Sequence, residues 1–201
     1  MDIIYRTGQV DDCARLAEFV NIASNGVVEF LFHDLIPHQT PVQIMAHNLT
    51  EDRDHHTFRD AVVAQTGQKI IGMSLSYPSH FHRISSGMRK FLPADRLKHV
   101  ENIFKSGVDN SLYLDTLCVD QEFRGKGIGS KLISLVQQKA GKQGINALSL
   151  IVLADNTRAQ ILYKRHGFEI VHHIEMESHE LIPHEGGAYL MKCPIPEKAK
   201  I

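Results

Sequence analysis

Alternating apolar and small residues indicate one strand of the chain most clearly. Within Lys69–Tyr77, positions 71, 73, 75 and 77 are apolar or aromatic, and the positions between them are glycine or serine. That period of two is typical of a strand with one buried face. Gly67–Gln68 stands where a hairpin turn would connect this strand to Ala61–Gln65. We therefore predict an antiparallel hairpin.

Helical spacing of apolar residues dominates the following part of the chain. The segment from Gly127 to about Gly141 has an apolar side formed by Ile128, Leu132, Leu135, Val136 and Ala140. Apolar strand patterns at Ser111–Val119 and Ala147–Leu153 flank this helix. A strand, a helix and a second strand in this order predict a right-handed βαβ unit with two parallel strands.

The remaining elements follow from shorter patterns. A strand at Ile3–Tyr5 and a helix capped by Asp11 or Asp12 open the chain, and Gly26–Ile36 is a loop or a short helix. Near the other end, a helix over Asn156–His166 stops at Gly167. The last predicted strands are Phe168–Met176 and Ala188–Cys193. The fold class is therefore α/β with a mixed sheet.

A long excursion, Pro78–Asn110, separates the hairpin from the βαβ unit. Leu97, Val100 and Phe104 recur at helical spacing in its second half, with Pro93 near the expected first turn. No repeat, low-complexity tract or linker divides the chain. We therefore expect one domain over residues 1–201, with an inserted segment at about 78–110.

Composition and charge exclude several classes of protein. The 22 Lys and Arg residues against 23 Asp and Glu give a net charge of -1, which argues against a surface that coats nucleic acid or a membrane. No apolar run approaches the ~20 residues of a membrane span, and the first residues lack a signal-peptide pattern. Cys13, Cys118 and Cys193 have no CxxC spacing, as in a reducing compartment. We expect a cytoplasmic protein with neither nucleic acid nor membrane as a partner.

The strongest chemical signal is the glycine-rich stretch Arg124–Gly129 between the predicted strand and helix. Glycines let the backbone turn so that several N–H groups face outward, and the helix start adds its positive dipole end. No Asp or Glu occurs from Phe123 to Ala154. A phosphate-bearing anion is the expected ligand. The P-loop pattern fails around Lys131, and Ser130 stands where a dinucleotide fingerprint needs its third glycine.

Two motifs together resemble the Gcn5-related N-acetyltransferase (GNAT) family. Arg124–Gly129 matches the family's pyrophosphate signature, Gln/Arg-x-x-Gly-x-Gly/Ala, directly after the strand Tyr113–Val119. Asn156–Phe168 is similar to the family's second motif. Gln121 stands where many members have proline. The resemblance covers Tyr113–Val171 and implies a mixed, mostly antiparallel sheet with a central splayed parallel strand pair flanked by helices.

Acetyl-CoA is the cosubstrate that this resemblance implies. The pantetheine arm would lie between the splayed strands and bond to the main chain of the first one, and the diphosphate would occupy the glycine loop. The amide of Leu117 could also polarise the thioester carbonyl. The expected contact residues are Leu117, Cys118, Val119, Arg124, Gly125, Lys126, Gly127, Ile128, Gly129, Ser130, Asn156 and Tyr163.

The same resemblance assigns the chemistry. Tyr163 would protonate the leaving thiolate as general acid, and Asp115 would accept a proton from a primary amine that attacks the thioester directly in a ternary complex. Glu29, Phe30 and Asp34 would line the acceptor mouth, with Glu29, Asp34 or a water chain as other bases. A non-catalytic acyl-CoA sensor of the same fold is the alternative function.

The histidines and Cys118 are weaker candidates for chemistry. Strand alternation turns Cys118 away from the side shared by Leu117 and Val119, which disfavours a covalent acetyl-enzyme. Adjacent histidines on a strand point to opposite faces, so His55–His56 and His172–His173 would not converge on a metal. We expect surface histidines and no metal site.

Acceptor identity and assembly are left open by these motifs. A small-molecule amine or a peptide amine fits equally, and a homodimer is the favoured assembly. In the family's usual layout the strands on either side of residues 78–110 are joined closely. We therefore expect this inserted segment to form a lid or wall over the acceptor cleft, or else a subunit contact.

Overall fold

The computed structural model describes residues 2–51 and 55–196. The chain forms two compact units: residues up to Tyr77 together with Asp115–Leu135, and Pro78–Leu114 together with residues from Val136 on. The strand order is β1-β2-β3-β4-β5-β7-β6. Strand β4, Leu112–Val119, begins in the second unit and ends in the first.

The first unit contains the predicted hairpin. Its strands are β1 (Ile4–Thr7), β2 (Ala61–Thr66), β3 (Lys69–Pro78) and the end of β4, and its helices are α1 (Cys13–Ser24), α2 (Val27–Phe32), α3 (Pro41–Thr50) and the start of α7 (Ile128–Lys142). Antiparallel pairing of β2 with β3 places Val63 opposite Met73. The hairpin prediction is confirmed.

The second unit contains the parallel pair. It holds the start of β4, α4 (Ser86–Phe91), α5 (Ala94–His99), α6 (Glu101–Lys105), the end of α7, β5 (Ala147–Leu153), α8 (Thr157–Arg165), β6 (Glu169–Ile174) and β7 (Ala188–Pro194). Leu112 pairs with Leu148 and Tyr113 with Ser149 in parallel register. Strand β7 pairs antiparallel with both β5 and β6. The mixed and mostly antiparallel sheet is therefore confirmed.

Helix α3 was not predicted, although its start has a clear local signal. Thr40 accepts a hydrogen bond from the Gln43 amide at 3.2 Å, and the Gln43 side chain accepts one from the Thr40 amide at 2.8 Å. This capping box with Pro41 in the first turn begins the helix. Leu49 is fully buried, and α3 packs on α1 and α2.

The expected helix cap at Asp12 takes another form. The Asp12 carboxylate accepts hydrogen bonds from Arg6 and from the Gln9 amide, and it makes no cap bond to α1. Residues Val10–Asp12 form a 3-10 turn before the helix. The ion pair with Arg6 thus uses the carboxylate oxygens that a cap would need.

The inserted segment contains three short helices rather than one. Val100 ends α5 with φ -97° and ψ 5°, which interrupts the helical run before α6 begins. Leu97 and Val100 are buried within the second unit. Asn102 also donates a hydrogen bond to the Glu175 carbonyl at 3.1 Å. The apolar side of the segment is therefore packed inside its own unit, and a lid role stays a prediction.

Among the described residues, no helix combines the length and apolar character that crossing a membrane requires.

Candidate active site

The glycine loop turns sharply between β4 and α7. Gly125 and Gly127 both have φ +78°, and a Cβ at either position would have no atom within 4 Å. These left-handed conformations are unfavourable for residues with a side chain, which explains both glycines. Arg124 Nε donates to the Val119 carbonyl at 2.9 Å and ties the loop to the end of β4.

Helix α7 begins directly at this loop. The Lys131 amide donates a hydrogen bond to the Gly127 carbonyl at 3.0 Å. The amides that precede Lys131 in the first turn have no helix carbonyl to which they could donate. Ile128 and Leu132 anchor the helix start in an apolar cluster with Ala64 and Ile71. The cluster holds the first-turn amides at a fixed place beside the loop. The arrangement fits an anion such as a diphosphate.

The end of β4 lies very close to β3. A Cβ on Gly72 would come within 2.9 Å of the Cys118 carbonyl oxygen and 3.3 Å of Val119 Cγ2. Leu117 and Val119 pack against the apolar cluster around α7, whereas Cys118 is buried and alternates away from them. Burial is the main cause that raises the pKa of the Cys118 thiol to about 11. A thiol of this kind stays protonated at neutral pH and is a poor nucleophile.

Asp115 is the centre of a partly buried polar network in the first unit, with its side chain 20% exposed. Its Oδ1 accepts a hydrogen bond from the Tyr77 hydroxyl at 2.8 Å. Its Oδ2 accepts one from the Thr116 hydroxyl at 2.8 Å and lies 3.2 Å from His56 Nε2, which donates to it when the ring is protonated. Burial acts to raise the pKa of this carboxyl, but the His56 charge and the three donors outweigh it and hold the pKa far below its usual range.

His56 is held in a turn that its own sequence shapes. Thr57 and Asp60 form a capping box, and Asp60 Oδ2 accepts a hydrogen bond from the His56 amide at 3.2 Å. The backbone of His56 has φ +91°, which is rare for a residue with a side chain. Its side chain is 29% exposed and its ring lies edge-on to Tyr77, with centroids 5.9 Å apart.

The expectation of surface histidines is wrong for His82, and His56 is only partly exposed. His82 is 8% exposed and stacks on the Tyr113 ring in the second unit, with centroids 4.0 Å apart. Within the described part of the chain, no three His, Cys, Asp or Glu side chains come together as metal ligands would.

His56 and Tyr77 are the residues that sequence reasoning missed in this network. The T-x-x-D pattern at Thr57–Asp60 could have indicated a local turn. It gives no information on Asp115, whose contact with His56 joins positions 59 apart. Tyr77 was predicted as a strand residue, but its hydroxyl partner depends on the pairing of β3 and β4.

Helix α8 carries the predicted residues of the second unit. Asn156 Oδ1 accepts a hydrogen bond from the Ala159 amide at 3.1 Å and caps the helix, and Tyr163 is half-buried with its ring edge-on to Phe168. The buried Gln160 side chain donates to the Ala154 carbonyl at 2.9 Å, which fixes the helix at the end of β5. Asn156, Ala159 and Tyr163 share one half-buried side of the helix.

The predicted acceptor residues lie on α2 and just after it. Glu29 and Asp34 both contact His33, with Oδ2 of Asp34 3.0 Å from His33 Nε2. Asp34 is largely exposed, whereas Phe30 is 6% exposed and packs in the core. The three residues are thus close in the fold but face different surroundings.

Comparison with known proteins identifies the family. The acetyltransferase (GNAT) family model matches residues 29–168. Thialysine N-epsilon-acetyltransferase from Bos taurus is 46% identical over 57 residues, which are 28% of this chain and only 34% of that protein. An N-acetyltransferase from Staphylococcus aureus Mu50 has a TM-score of 0.70 at 18% identity, covering 94% of this chain and 99% of its own.

A more distant structure extends the comparison. The PaiA N-acetyltransferase from Thermoplasma acidophilum, solved in complex with coenzyme A, has a TM-score of 0.55 at 14% identity. That likeness covers 96% of this chain and 99% of the other. Because the family model matches more than half of the length of this chain, the chain belongs to the acetyltransferase (GNAT) family.

Proposed function

We propose that this protein transfers the acetyl group of acetyl-CoA to a primary amine, which attacks the thioester directly while both substrates are bound. The observation that carries the proposal is the loop Arg124–Gly129. Its two left-handed glycines leave open space beside the backbone, and it leads straight into the first-turn amides of α7. Membership of an acetyltransferase family makes the diphosphate of acetyl-CoA the anion that best fits this loop.

The cosubstrate would be held by the groups that sequence analysis named. Backbone amides from Gly125 to Ser130 would bind the diphosphate, with Arg124 and Lys126 adding positive charge. Main-chain groups of Leu117, Cys118 and Val119 would bind the pantetheine arm. Acetyl-CoA would supply the activated thioester and its thiolate leaving group.

Direct attack is favoured over a covalent acetyl-enzyme by the state of Cys118. Its thiol is 6% exposed and its pKa is raised, so the nucleophilic thiolate is scarce at neutral pH. In the second unit, Tyr163 would give its hydroxyl proton to the departing thiolate, and Asn156 would orient the pantetheine arm.

The acceptor meets a negative site in the first unit. A primary ammonium has a pKa near ~10.4, so losing a proton at pH 7 costs about 4 to 5 kcal/mol. Asp115 keeps its negative charge at neutral pH because its pKa is lowered. A carboxylate in these surroundings would attract the ammonium and support its deprotonation. The name of the bovine relative makes thialysine the first amine to test.

The test is release of free CoA thiol from acetyl-CoA in the presence of single amines. The panel is thialysine, lysine, 1,4-diaminobutane and a peptide with a free alanine amino terminus. Amine-dependent release with at least one of them is expected, together with an acetylated product of matching mass. Tight acetyl-CoA binding without release for any amine would contradict the proposal and favour an acyl-CoA sensor.

A further inference from the structure

The donors around Asp115 raise a chemical problem for its role as the base. Both carboxylate oxygens are occupied, Oδ1 by Tyr77 and Oδ2 by Thr116 and His56. These contacts stabilise the anion and lower its pKa. Proton transfer is most effective when the base has a pKa near the working pH. A carboxylate stabilised this strongly is a good counter-ion for an ammonium but a weak final acceptor for its proton.

His56 is the neighbouring group that can keep the proton. Its Nε2 lies 3.2 Å from Asp115 Oδ2, and its side chain is partly exposed to solvent. Burial acts to lower the pKa of the imidazole, but the nearby Asp115 charge outweighs it and raises the pKa above the ordinary value. Imidazole is the side chain whose ordinary titration lies nearest to neutral pH, which suits it to take up a proton and release it to water.

The backbone shows that this contact is built into the turn. A non-glycine residue at φ +91° has an unfavourable backbone conformation unless its surroundings compensate. Asp60 supplies the compensation, because its carboxylate accepts from the His56 amide and from the Thr57 amide at 3.3 Å. The turn therefore keeps the His56 ring in contact with Asp115, although the His56 backbone has an unfavourable conformation.

We propose that His56 is the final acceptor of the amine's proton and that Asp115 relays it. The inference rests on the proposed function. The ammonium gives one proton to Asp115 Oδ2, and this proton passes to Nε2 of neutral His56, in the tautomer that carries its own proton on Nδ1 and leaves Nε2 free to accept. One N–H bond of the ammonium breaks, one N–H bond of the imidazole forms, and the amine keeps the electron pair that attacks the thioester carbon. His56, whose side chain is 29% exposed, then returns the proton to water.

The groups that face His56 set its titration. Asp115 contacts it from β4, Tyr77 from β3, and Asp60 from the 3-10 turn that follows it. His55 is adjacent in the chain, with Nδ1 3.1 Å from Asp60 Oδ1. Both carboxylates favour the protonated ring, so the active neutral form gains population above pH 6.5.

The test removes the ring without straining the backbone. His56→Gly suits φ +91°, and His38→Gly is the matched control because it also replaces a histidine at positive φ, here +62°, at a position with no role in the Asp115 network. For each panel amine that the wild type acetylates, kcat/KM is measured from pH 6 to 10, with and without added imidazole. The wild type should rise through the His56 titration and then level off.

The expected signature of His56→Gly combines a defect with a rescue. At pH 7.5 its kcat/KM should fall about 10²-fold, then rise about tenfold per pH unit as free amine becomes available. Added imidazole should restore activity near neutral pH, while His38→Gly keeps the wild-type profile.

Two results would overturn the assignment of His56. One is a His56→Gly profile with the wild-type shape. The other is a defect of equal size at every pH without imidazole rescue, which would mean that the ring only supports the turn. If the wild type itself acetylates no amine, the proposed function fails and this inference falls with it, so the two failures are distinguishable.

Discussion

At the scale of single residues, the site depends on side chains whose partners lie far apart in the sequence. Asp115 binds donors from β3, from its own strand and from the turn before β2. Its environment therefore separates two roles that a carboxylate can combine: attracting a cation and keeping its proton. The stabilised anion suits the first role, and the imidazole of His56 suits the second.

Tyr163 gives a prediction at this scale. Tyr163→Phe should lower kcat about 10²-fold, because one general acid is lost while the ring keeps its contact with Phe168. Affinity for acetyl-CoA should change little. Steady-state kinetics and calorimetry check the two quantities, with Tyr189→Phe on β7 as the control. A kcat within twofold of wild type would show that water or another group protonates the thiolate.

At the scale of elements, the strand-loop-helix β4–α7 arranges backbone rather than side chains for binding. Gly125 and Gly127 turn the loop, and the cluster around Ile128 fixes the helix start. Gly72 performs a different task, because it allows β3 to approach β4 at Cys118. Each glycine is required for one of these two reasons.

The loop glycines lead to a binding prediction. The double change Gly125→Ala and Gly127→Ala forces two side chains into left-handed backbone, at a cost of roughly 1–2 kcal/mol each. The loop should then relax away from its present shape and weaken acetyl-CoA binding at least about tenfold. Calorimetry measures the affinity. Gly67→Ala, also at positive φ but in the β2–β3 turn, should leave it unchanged. Equal affinity in the double variant would contradict the loop assignment.

The close approach of β3 and β4 leads to a stability prediction. Gly72→Ala places a methyl group 2.9 Å from the Cys118 carbonyl oxygen, so one strand must move. We expect a loss of about 1–3 kcal/mol in the free energy of unfolding and a higher KM for acetyl-CoA. Urea unfolding and kinetics check both. Gly107→Ala, where a Cβ meets no atom within 4 Å, is the control. An unchanged unfolding midpoint would show that β4 can move away from the added methyl group without a loss of stability.

At the scale of the whole molecule, folding stability should depend on pH through the His56–Asp115 pair. Pairing raises the pKa of His56 and lowers that of Asp115. The His56 contribution is fully present below its unfolded pKa and is lost as the pH rises through the raised pKa. The Asp115 contribution is lost only in strong acid.

His56→Gln tests this linkage in the intact chain. Its free energy of unfolding should fall further below wild type at pH 6 than at pH 9, because the charged pair of the wild type is more populated at the lower pH. Urea unfolding at the two pH values measures the gap, with His55→Gln as the control. A gap of the same size at both pH values would show that the ring stabilises the protein by packing alone.

Local patterns were sufficient for the hairpin, for α7 and for the glycine loop. Each of these is specified within a few residues, by alternation, by helical spacing or by the need for left-handed backbone at Gly125 and Gly127. The parallel pairing of β4 with β5 could also be predicted, because a helix connects the two strands along the chain. The inserted segment was harder, since the break at Val100 leaves its helical spacing intact.

The contact between His56 and Asp115 could not be predicted from the sequence and required the folded chain. His56 and Asp115 are 59 positions apart, and no periodicity relates them. Their contact exists because Asp60 holds the turn, because β3 pairs beside β4, and because Tyr77 and Thr116 complete the carboxylate's hydrogen bonds. Residue type and spacing could suggest that Asp115 provides a negative charge that attracts the amine. Long-range packing brings together the groups around Asp115 that would determine which side chain finally holds the amine's proton.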